Sequence, residues 1–141
     1  MLLDSDTINI VKEARTIAVV GCSPKTYRDS NSVASYLMEQ GYGVVPINPK
    51  HDMILSVRSY PDLLAARESE GPIDIVNIFR APEFVGPHVD EAIEIGARLV
   101  WMQLGVVNAE AALKARSAGL TVVMDQCLRT QHKELRRQRL L

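Results

Sequence analysis

The chain has 141 residues, of which 47% are hydrophobic and 23% charged; this composition is typical of one folded domain and excludes disorder as the main state. Its 16 basic and 17 acidic residues leave a net charge of −1, which argues against a general nucleic-acid binder. The two cysteines lack the spacing of zinc ligands, so no metal site is expected. The sequence has no basic leader and no apolar run near the ~20 residues of a membrane span, so no membrane partner is expected. We therefore predict one cytoplasmic domain over residues 1–141.

Five short apolar runs are the predicted strands, and they lie at residues 17–21, 44–47, 73–79, 99–102 and 120–124. None alternates strictly between apolar and polar side chains, which is typical of parallel strands covered on both faces. Apolar residues at helical spacing predict helices over residues 7–14, 31–40, 84–95, 108–119 and 130–138. Residues 51–60 form a loop with room for one more short strand. This alternation predicts an α/β fold built from right-handed βαβ units.

The first predicted strand leads into a turn and a helix start, where a parallel α/β sheet binds its ligands. A glycine lets the backbone approach a ligand closely, and the free N–H groups of a helix start attract phosphate. The Rossmann GxGxxG motif and the Walker A motif are both absent, and a tight turn with ordinary caps explains the segment equally well. The candidate binding residues of this segment are Gly21, Cys22, Ser23, Lys25, Arg28 and Ser32.

The second predicted strand ends in Asn48, Pro49 and Lys50. A site for NAD usually has an acidic residue here to hold the ribose hydroxyls, and this chain has an amide and a lysine instead. Lys50 therefore favours a nucleotide with a phosphate on its ribose, such as CoA or NADP. A solvated loop lysine is the alternative interpretation.

The third and fourth predicted strands end in apolar side chains combined with single polar groups. An apolar surface with single polar groups suits a ligand with an amide-bearing chain better than a charged metabolite. Core packing or a surface ion pair explains the same residues. The candidate residues are Phe79, Arg80, Ala81, Gln103 and Gly105. No nucleophile and base have a recognisable spacing, and His88 on an apolar helix stripe is interpreted as a core histidine. No catalytic residue is assigned.

Five segments in the same order resemble the stand-alone CoA-binding proteins of bacteria and archaea. These are relatives of the CoA-binding domain in succinyl-CoA synthetase alpha subunits and ADP-forming acyl-CoA synthetases. The segments are IAVVGCSPK at residues 17–25, VPINPK at 45–50, DIVNIFR at 74–80, VWMQLGV at 100–106 and VVMDQC at 122–127. The resemblance covers residues 8–135. It implies a Rossmann-like three-layer fold with a mostly parallel sheet of five or six strands in the order of about 3-2-1-4-5.

The resemblance also implies roles along a CoA molecule laid across the strand ends. Gly21, Ser23 and Lys25 would line the pyrophosphate turn, and residues 48–50 would flank the adenosine and its 3′-phosphate. Residues 79–81 would edge the pantetheine path, with Gln103 and Gly105 near it. The chain departs from the family where Gln126 replaces an arginine, where Gln131 replaces a glutamate, and where Cys22 replaces a common alanine.

The resemblance implies binding of CoA without turnover, because the phosphorylated histidine and the nucleotide-grasping subunit of the synthetases do not fit in 141 residues. The leading hypothesis is a carrier, sensor or regulatory subunit, and a protein partner or a homodimer stays open. The rival hypothesis is an NADP-dependent or CoA-thioester enzyme whose catalytic group comes from a partner. A third is an interaction module with a vestigial cleft.

The two cysteines and the basic C-terminal segment carry further expectations. Cys127 is expected near the CoA thiol, and a helix start is expected to lower the pKa of Cys22. A buried, unreactive thiol is the alternative for both. Residues 129–139, with five basic residues and one acid, are interpreted as a solvated helix end that the helix dipole stabilises.

Overall fold

The structure is a computed structural model, and it describes residues 3–141. The strands are β1 (Thr16–Val20), β2 (Gly43–Ile47), β3 (Met53–Ile54), β4 (Val57–Arg58), β5 (Ile75–Ile78), β6 (Leu99–Met102) and β7 (Thr121–Val123). The α-helices are α1 (Ser5–Glu13), α2 (Asp29–Glu39), α3 (Leu63–Glu70), α4 (Val85–Glu94), α5 (Ala109–Ser117) and α6 (Leu128–Arg137). A short 3₁₀ helix, Pro82–Phe84, precedes α4.

Five strands form one parallel sheet in the order β2-β1-β5-β6-β7, which confirms the predicted α/β fold. The expected strand order is wrong in one detail, because the third predicted strand, residues 73–79, forms β5 and pairs with β1 instead of lying outside β2. Among residues 3–141, no full strand lies outside β2. Residues 53–58 pair with each other as an antiparallel hairpin, and one bridge between Ile47 and Tyr60 is all that extends the sheet there. The chain between β2 and α3 thus turns back on itself as a hairpin instead of adding a strand to the sheet.

The core has two layers because both faces of the sheet are covered by helices. Alternate residues of β1 point to opposite faces, with Ala18 and Val20 in the layer under α3, α4 and α5. Ile17 and Val19 lie in the layer under α1, α2 and α6. The strands must therefore be apolar at nearly every position, which explains the continuous apolar runs in the sequence; the buried Asn77 of β5 is an exception.

Helix α3 is the element that the sequence analysis missed. Asp62 caps it, since its side chain accepts a hydrogen bond of 2.8 Å from the Ala65 backbone N–H. Its residues LLAARESE bury only Leu63 and Ala66, so the apolar stripe is too narrow to stand out from the loop before it. The other predicted helices are present, with ends shifted by one or two residues.

Two predicted positions on α4 are wrong. Phe84 was expected on the buried stripe, but it ends the 3₁₀ helix and its side chain is exposed beneath the Arg80 guanidinium. His88 is half-buried and does not belong to the core, and burial, together with the nearby Arg80, lowers its pKa. His132 of α6 is the histidine that is buried. Within residues 3–141, no helix is long and apolar enough to cross a membrane.

Candidate functional site

A cleft with two lobes lies at the carboxyl end of the sheet. The chain passes from β2 and β1 on one side to β5 on the other, so the strand order reverses between β1 and β5. Ligands of open α/β sheets bind at such a reversal. The first lobe has a volume of about 600 Å³ and the second about 510 Å³. Asp29 and Phe79 line both, so the lobes adjoin.

The lobes are lined by different segments of the chain. The residues that line the first lobe are Gly21, Ser23, Pro24, Lys25, Tyr27, Arg28, Asp29, Ser30, Asn48, His51 and Phe79. The residues that line the second lobe are Asp29, Val33, Phe79, Arg80, Ala81, Pro82, Gln103, Leu104, Gly105, Val106, Cys127, Arg129 and Thr130.

A larger cavity of about 770 Å³ lies between the β3–β4 hairpin and α3. Its lining includes the carboxylates Asp52 and Glu68 and one cation, Arg58, which lies over the Tyr60 ring. This balance of charge does not suit a phosphate ligand, and the adjacent start of α3 is already capped by Asp62. The cleft at the strand ends is therefore the better candidate site.

Gly21 makes the close turn at the end of β1. Its φ of +79° is unfavourable for other residues, and a Cβ at this position would lie 2.6 Å from the backbone oxygen of Phe79. The Gly21 N–H donates to the Ile47 carbonyl at 3.0 Å, which fixes the turn against β2. The chain therefore needs a glycine here for steric reasons, and the backbone is left open to a ligand.

Hydrogen bonds hold the loop between β1 and α2 in place. The Ser23 N–H donates to Ser30 Oγ at 2.9 Å, and the Asn31 side chain donates to the Ser23 carbonyl at 2.9 Å. The Asn48 side chain donates to the Cys22 carbonyl at 3.0 Å and so ties the end of β2 to the same loop. Arg28 precedes α2 and makes no side-chain cap bond, so the first N–H groups of α2 stay available to an anion.

Two cations of the first lobe have no acidic partner. Lys25 Nζ lies 5.9 Å and the Arg28 guanidinium 5.7 Å from the centre of the Tyr27 ring, whose side chain is 74% exposed. The ion pairs within residues 3–141 join other side chains, so neither charge is neutralised by a carboxylate. The first lobe is thus arranged to hold an anion, with an exposed aromatic face beside it.

Gln103 organises the second lobe from the end of β6. Its side chain is 6% exposed, and its Oε1 accepts from the Asn77 side chain at 3.2 Å and from the Leu128 N–H at 3.3 Å. These bonds join β5, β6 and the start of α6. The Gly105 N–H donates to Asp125 Oδ1 at 2.7 Å, so Asp125 fixes the loop after β6.

The two thiols have opposite environments. The expected low pKa of Cys22 is wrong, because the side chain is 0% exposed and burial raises its pKa to about 11. Cys127 is half-buried in the second lobe. Burial raises its pKa, but hydrogen bonds involving Thr130, Gln103 and the Arg129 backbone outweigh burial and bring the pKa below its usual value. Cys127 is the thiol with the greater thiolate fraction.

Ten predicted site residues line the cleft: Gly21, Ser23, Lys25, Arg28, Asn48, Phe79, Arg80, Ala81, Gln103 and Gly105. Four predicted residues do not. Cys22 is buried beneath the first lobe, and Ser32 accepts a hydrogen bond from Arg129. Pro49 and Lys50 are exposed beyond the lining, and the Lys50 N–H donates to Asn48 Oδ1 at 2.9 Å.

The sequence analysis missed several residues of the cleft, among them Tyr27, Asp29, His51 and Arg129. Tyr27 and Asp29 stand inside the loop already identified, so an exposed aromatic between two cations was a usable signal. Arg129 was counted with the basic C-terminal segment. No local sequence pattern distinguishes Arg129 from the basic residues around it, because only the packing of α6 against α2 brings it to the cleft.

Comparisons with known proteins agree with this geometry. A family model described as CoA binding domain matches residues 15–133. The Uncharacterized protein YneT of Bacillus subtilis (strain 168) is 38% identical over 123 residues, which cover 87% of this chain and 89% of that protein. A hypothetical protein from Pyrococcus horikoshii OT3 has a similar structure, with a TM-score of 0.88, 40% identity, and coverage of 95% of this chain and 92% of that one.

A more distant structure shares the fold alone. It is the dinucleotide forming Acetyl-coenzyme A synthetase 1 of Ca. Korarchaeum cryptofilum in complex with phosphate and ADP, with a TM-score of 0.72 and 20% identity. The alignment covers 85% of this chain and 28% of that one.

Proposed function

This chain belongs to the family of CoA binding domains, and we propose that it binds CoA or an acyl-CoA across the carboxyl ends of its sheet without catalysing a reaction itself. The observation that carries the proposal is the two-part cleft at the reversal of strand order. One lobe offers unpaired cations and a helix start, and the other offers a smaller and more apolar surface that also includes Arg80 and Arg129. CoA has the same division between a charged nucleotide and an uncharged pantetheine arm.

The first lobe fits the phosphate groups. Lys25 and Arg28 supply positive charge without carboxylate partners, and the first turn of α2 supplies backbone N–H groups. Gly21 removes the side chain that would hold a phosphate away from the backbone. The exposed Tyr27 ring offers a stacking face for an adenine ring.

The second lobe fits the pantetheine arm. Phe79, Ala81 and Pro82 form an apolar side, and Val33 and Val106 face it from α2 and the loop after β6. The Gln103 amide stands among them, as recognition of an amide-bearing chain requires. Because the phosphates occupy the first lobe, the thiol end of CoA would extend toward Cys127.

The absence of catalysis is part of the proposal. In the described chain, Cys127 takes its hydrogen bonds from Thr130, Gln103 and the Arg129 backbone, and none of these groups is a general base. The arrangement supports a role as a carrier, a sensor or a regulatory subunit of a larger assembly.

Titration calorimetry with CoA and NADPH tests the proposal. We expect CoA to bind with a dissociation constant of about 1 μM or lower, equivalent to about −8 kcal/mol, and NADPH to bind at least tenfold more weakly. The expectation follows from the second lobe, whose apolar wall suits pantetheine better than a nicotinamide ring. NADPH binding without CoA binding would overturn the proposal.

A further inference from the structure

Helix α6 is joined to α2 by three polar side-chain pairs, spaced one helical turn apart. The residues are Arg129 with Ser32, His132 with Tyr36, and Arg136 with Gln40. In each pair the α2 residue is uncharged. The pairs form a ladder that runs from the cleft toward the far end of the two helices.

The middle pair of the ladder is buried and fixed in orientation. His132 is 4% exposed, and its two ring nitrogens face the hydroxyls of Tyr36 at 2.8 Å and Tyr42 at 3.2 Å. The Tyr42 hydroxyl donates to the Val11 carbonyl at 2.7 Å, so it accepts the hydrogen of His132 Nε2. Nδ1 then accepts from Tyr36. Both ring nitrogens are satisfied by the neutral ring, and the rotation of α6 about its own axis is set.

This ladder places Arg129 beside the start of α2. The Arg129 guanidinium donates to Ser32 Oγ, and Ser32 lies three residues after Asp29, about 4.5 Å along the helix axis from the start of α2. Arg129 also lines the second lobe, which shares Asp29 with the first. Its charge therefore lies close to the first turn of α2.

The charge of Arg129 has no carboxylate partner, since the ion pairs of the described residues lie elsewhere. A half-buried guanidinium held by one hydroxyl keeps several donors free, which suits a phosphate oxygen. Asp29, on the same turn of α2, lines both lobes and repels an anion there. Arg129, a cation bonded to the same turn, compensates for this repulsion.

We propose that Arg129 binds a phosphate group of the ligand at the junction of the two lobes, which makes α6 part of the binding site. The inference rests on the proposed function, because it takes CoA as the ligand and names a further residue that recognises it. His132 is then a positioning residue, which acts on the ligand through Arg129. The basic C-terminal segment thus contains one residue of the site, and its other cations are solvent-facing.

The test compares Arg129→Gln with Arg139→Gln, which removes the same charge from an exposed residue at the end of the chain. We expect the Arg129 variant to lose CoA affinity by about tenfold or more, as for a charge-assisted phosphate contact, and the Arg139 variant to stay within about twofold. Affinity should also fall less steeply with added salt in the Arg129 variant. Arg129→Met keeps an unbranched apolar stem and should show the same loss if the glutamine variant folds poorly.

Competition with inorganic diphosphate identifies the group that Arg129 contacts. We expect diphosphate to displace CoA from the unaltered protein and from Arg139→Gln, and to compete at least fivefold more weakly in Arg129→Gln. Equal CoA affinity in the Arg129 and Arg139 variants, or unchanged competition by diphosphate, would overturn the inference. Failure of the unaltered protein to bind CoA would instead overturn the proposed function.

Discussion

The two lobes of the cleft are built in different ways. Most of the first lobe comes from one contiguous stretch, residues 21–30, with contributions from the ends of β2 and β5. The second lobe draws on four separated segments: α2, the ends of β5 and β6, and the start of α6. A site made from one stretch is encoded in local sequence, whereas a site made from four depends on how the elements pack.

The hydrogen bonds reflect the same difference. In the first lobe, Ser23 bonds to Ser30 and Asn31 at the start of α2, only 7 and 8 residues away in sequence, so the turn is fixed by its immediate neighbours. In the second lobe, Gln103 joins Asn77 to the start of α6 across distances of 26 and 25 residues in sequence. Changes in the first lobe should therefore act locally on phosphate binding, and changes in the second should act through packing.

The largest effect is expected for Gly21→Ala. The positive φ and the contact of 2.6 Å with the Phe79 carbonyl should lower the free energy of unfolding by ~2–3 kcal/mol and reduce CoA affinity at least a hundredfold. Gly86→Ala is the matched control, because Gly86 lies in α4 with no atom near its Cβ position and should gain ~0.5–1 kcal/mol. Chemical denaturation and calorimetry measure both. Unchanged affinity in Gly21→Ala would show that the ligand does not approach this turn.

The next prediction compares Cys127 of the second lobe with Cys22, which is buried beneath the first lobe. Treatment with CoA disulfide should modify Cys127, whose thiolate attacks the disulfide, forms Cys127–S–S–CoA and releases one CoA thiolate. Cys22 should stay unmodified, because it is fully buried and its pKa is about 11. Peptide mapping by mass spectrometry locates the adduct, and Cys127→Ser should abolish it. An adduct confined to Cys22 would mean that CoA runs in the opposite direction or attaches without using the cleft.

The next prediction concerns Lys50, at the outer edge of the first lobe. If Lys50 reaches the 3′-phosphate, CoA should bind about tenfold more tightly than dephospho-CoA, and Lys50→Ala should remove most of that difference. The structure places Lys50 in an exposed loop beyond the cleft lining, next to His51. Calorimetry with both ligands decides the role. The same preference for CoA in the unaltered protein and in Lys50→Ala would assign the 3′-phosphate to another residue.

The smallest effect concerns Asp29, which the two lobes share. Asp29→Asn removes a carboxylate that repels phosphate, so CoA affinity should rise about threefold, and more at low salt. The helix dipole favours an acid in this first turn, so the free energy of unfolding should fall by ~0.3–1 kcal/mol. Glu110→Gln, in the first turn of α5, is the control for the stability change. A lower CoA affinity in Asp29→Asn would mean that the carboxylate accepts a hydrogen bond from the ligand.

The sequence allowed a good prediction of the fold because the strands are continuous apolar runs and most helices have clear stripes. It also identified much of the first lobe, where Gly21, Lys25 and Arg28 stand within one short stretch. The position of Arg129 could not be predicted, since it depends on the ladder between α2 and α6. The low reactivity of Cys22 could not be predicted either. A helix start lowers a thiol pKa and full burial raises it, and only the structure shows that burial prevails at Cys22.

The central claim is that CoA occupies both lobes, and native mass spectrometry of the freshly purified protein tests it most directly. The account predicts that a fraction of the protein carries CoA or an acyl-CoA, and that added CoA saturates the rest with one molecule per chain. Arg28→Gln should retain less CoA than the exposed control Arg139→Gln. Recovery of the protein with a different nucleotide, which added CoA does not displace, would contradict the account.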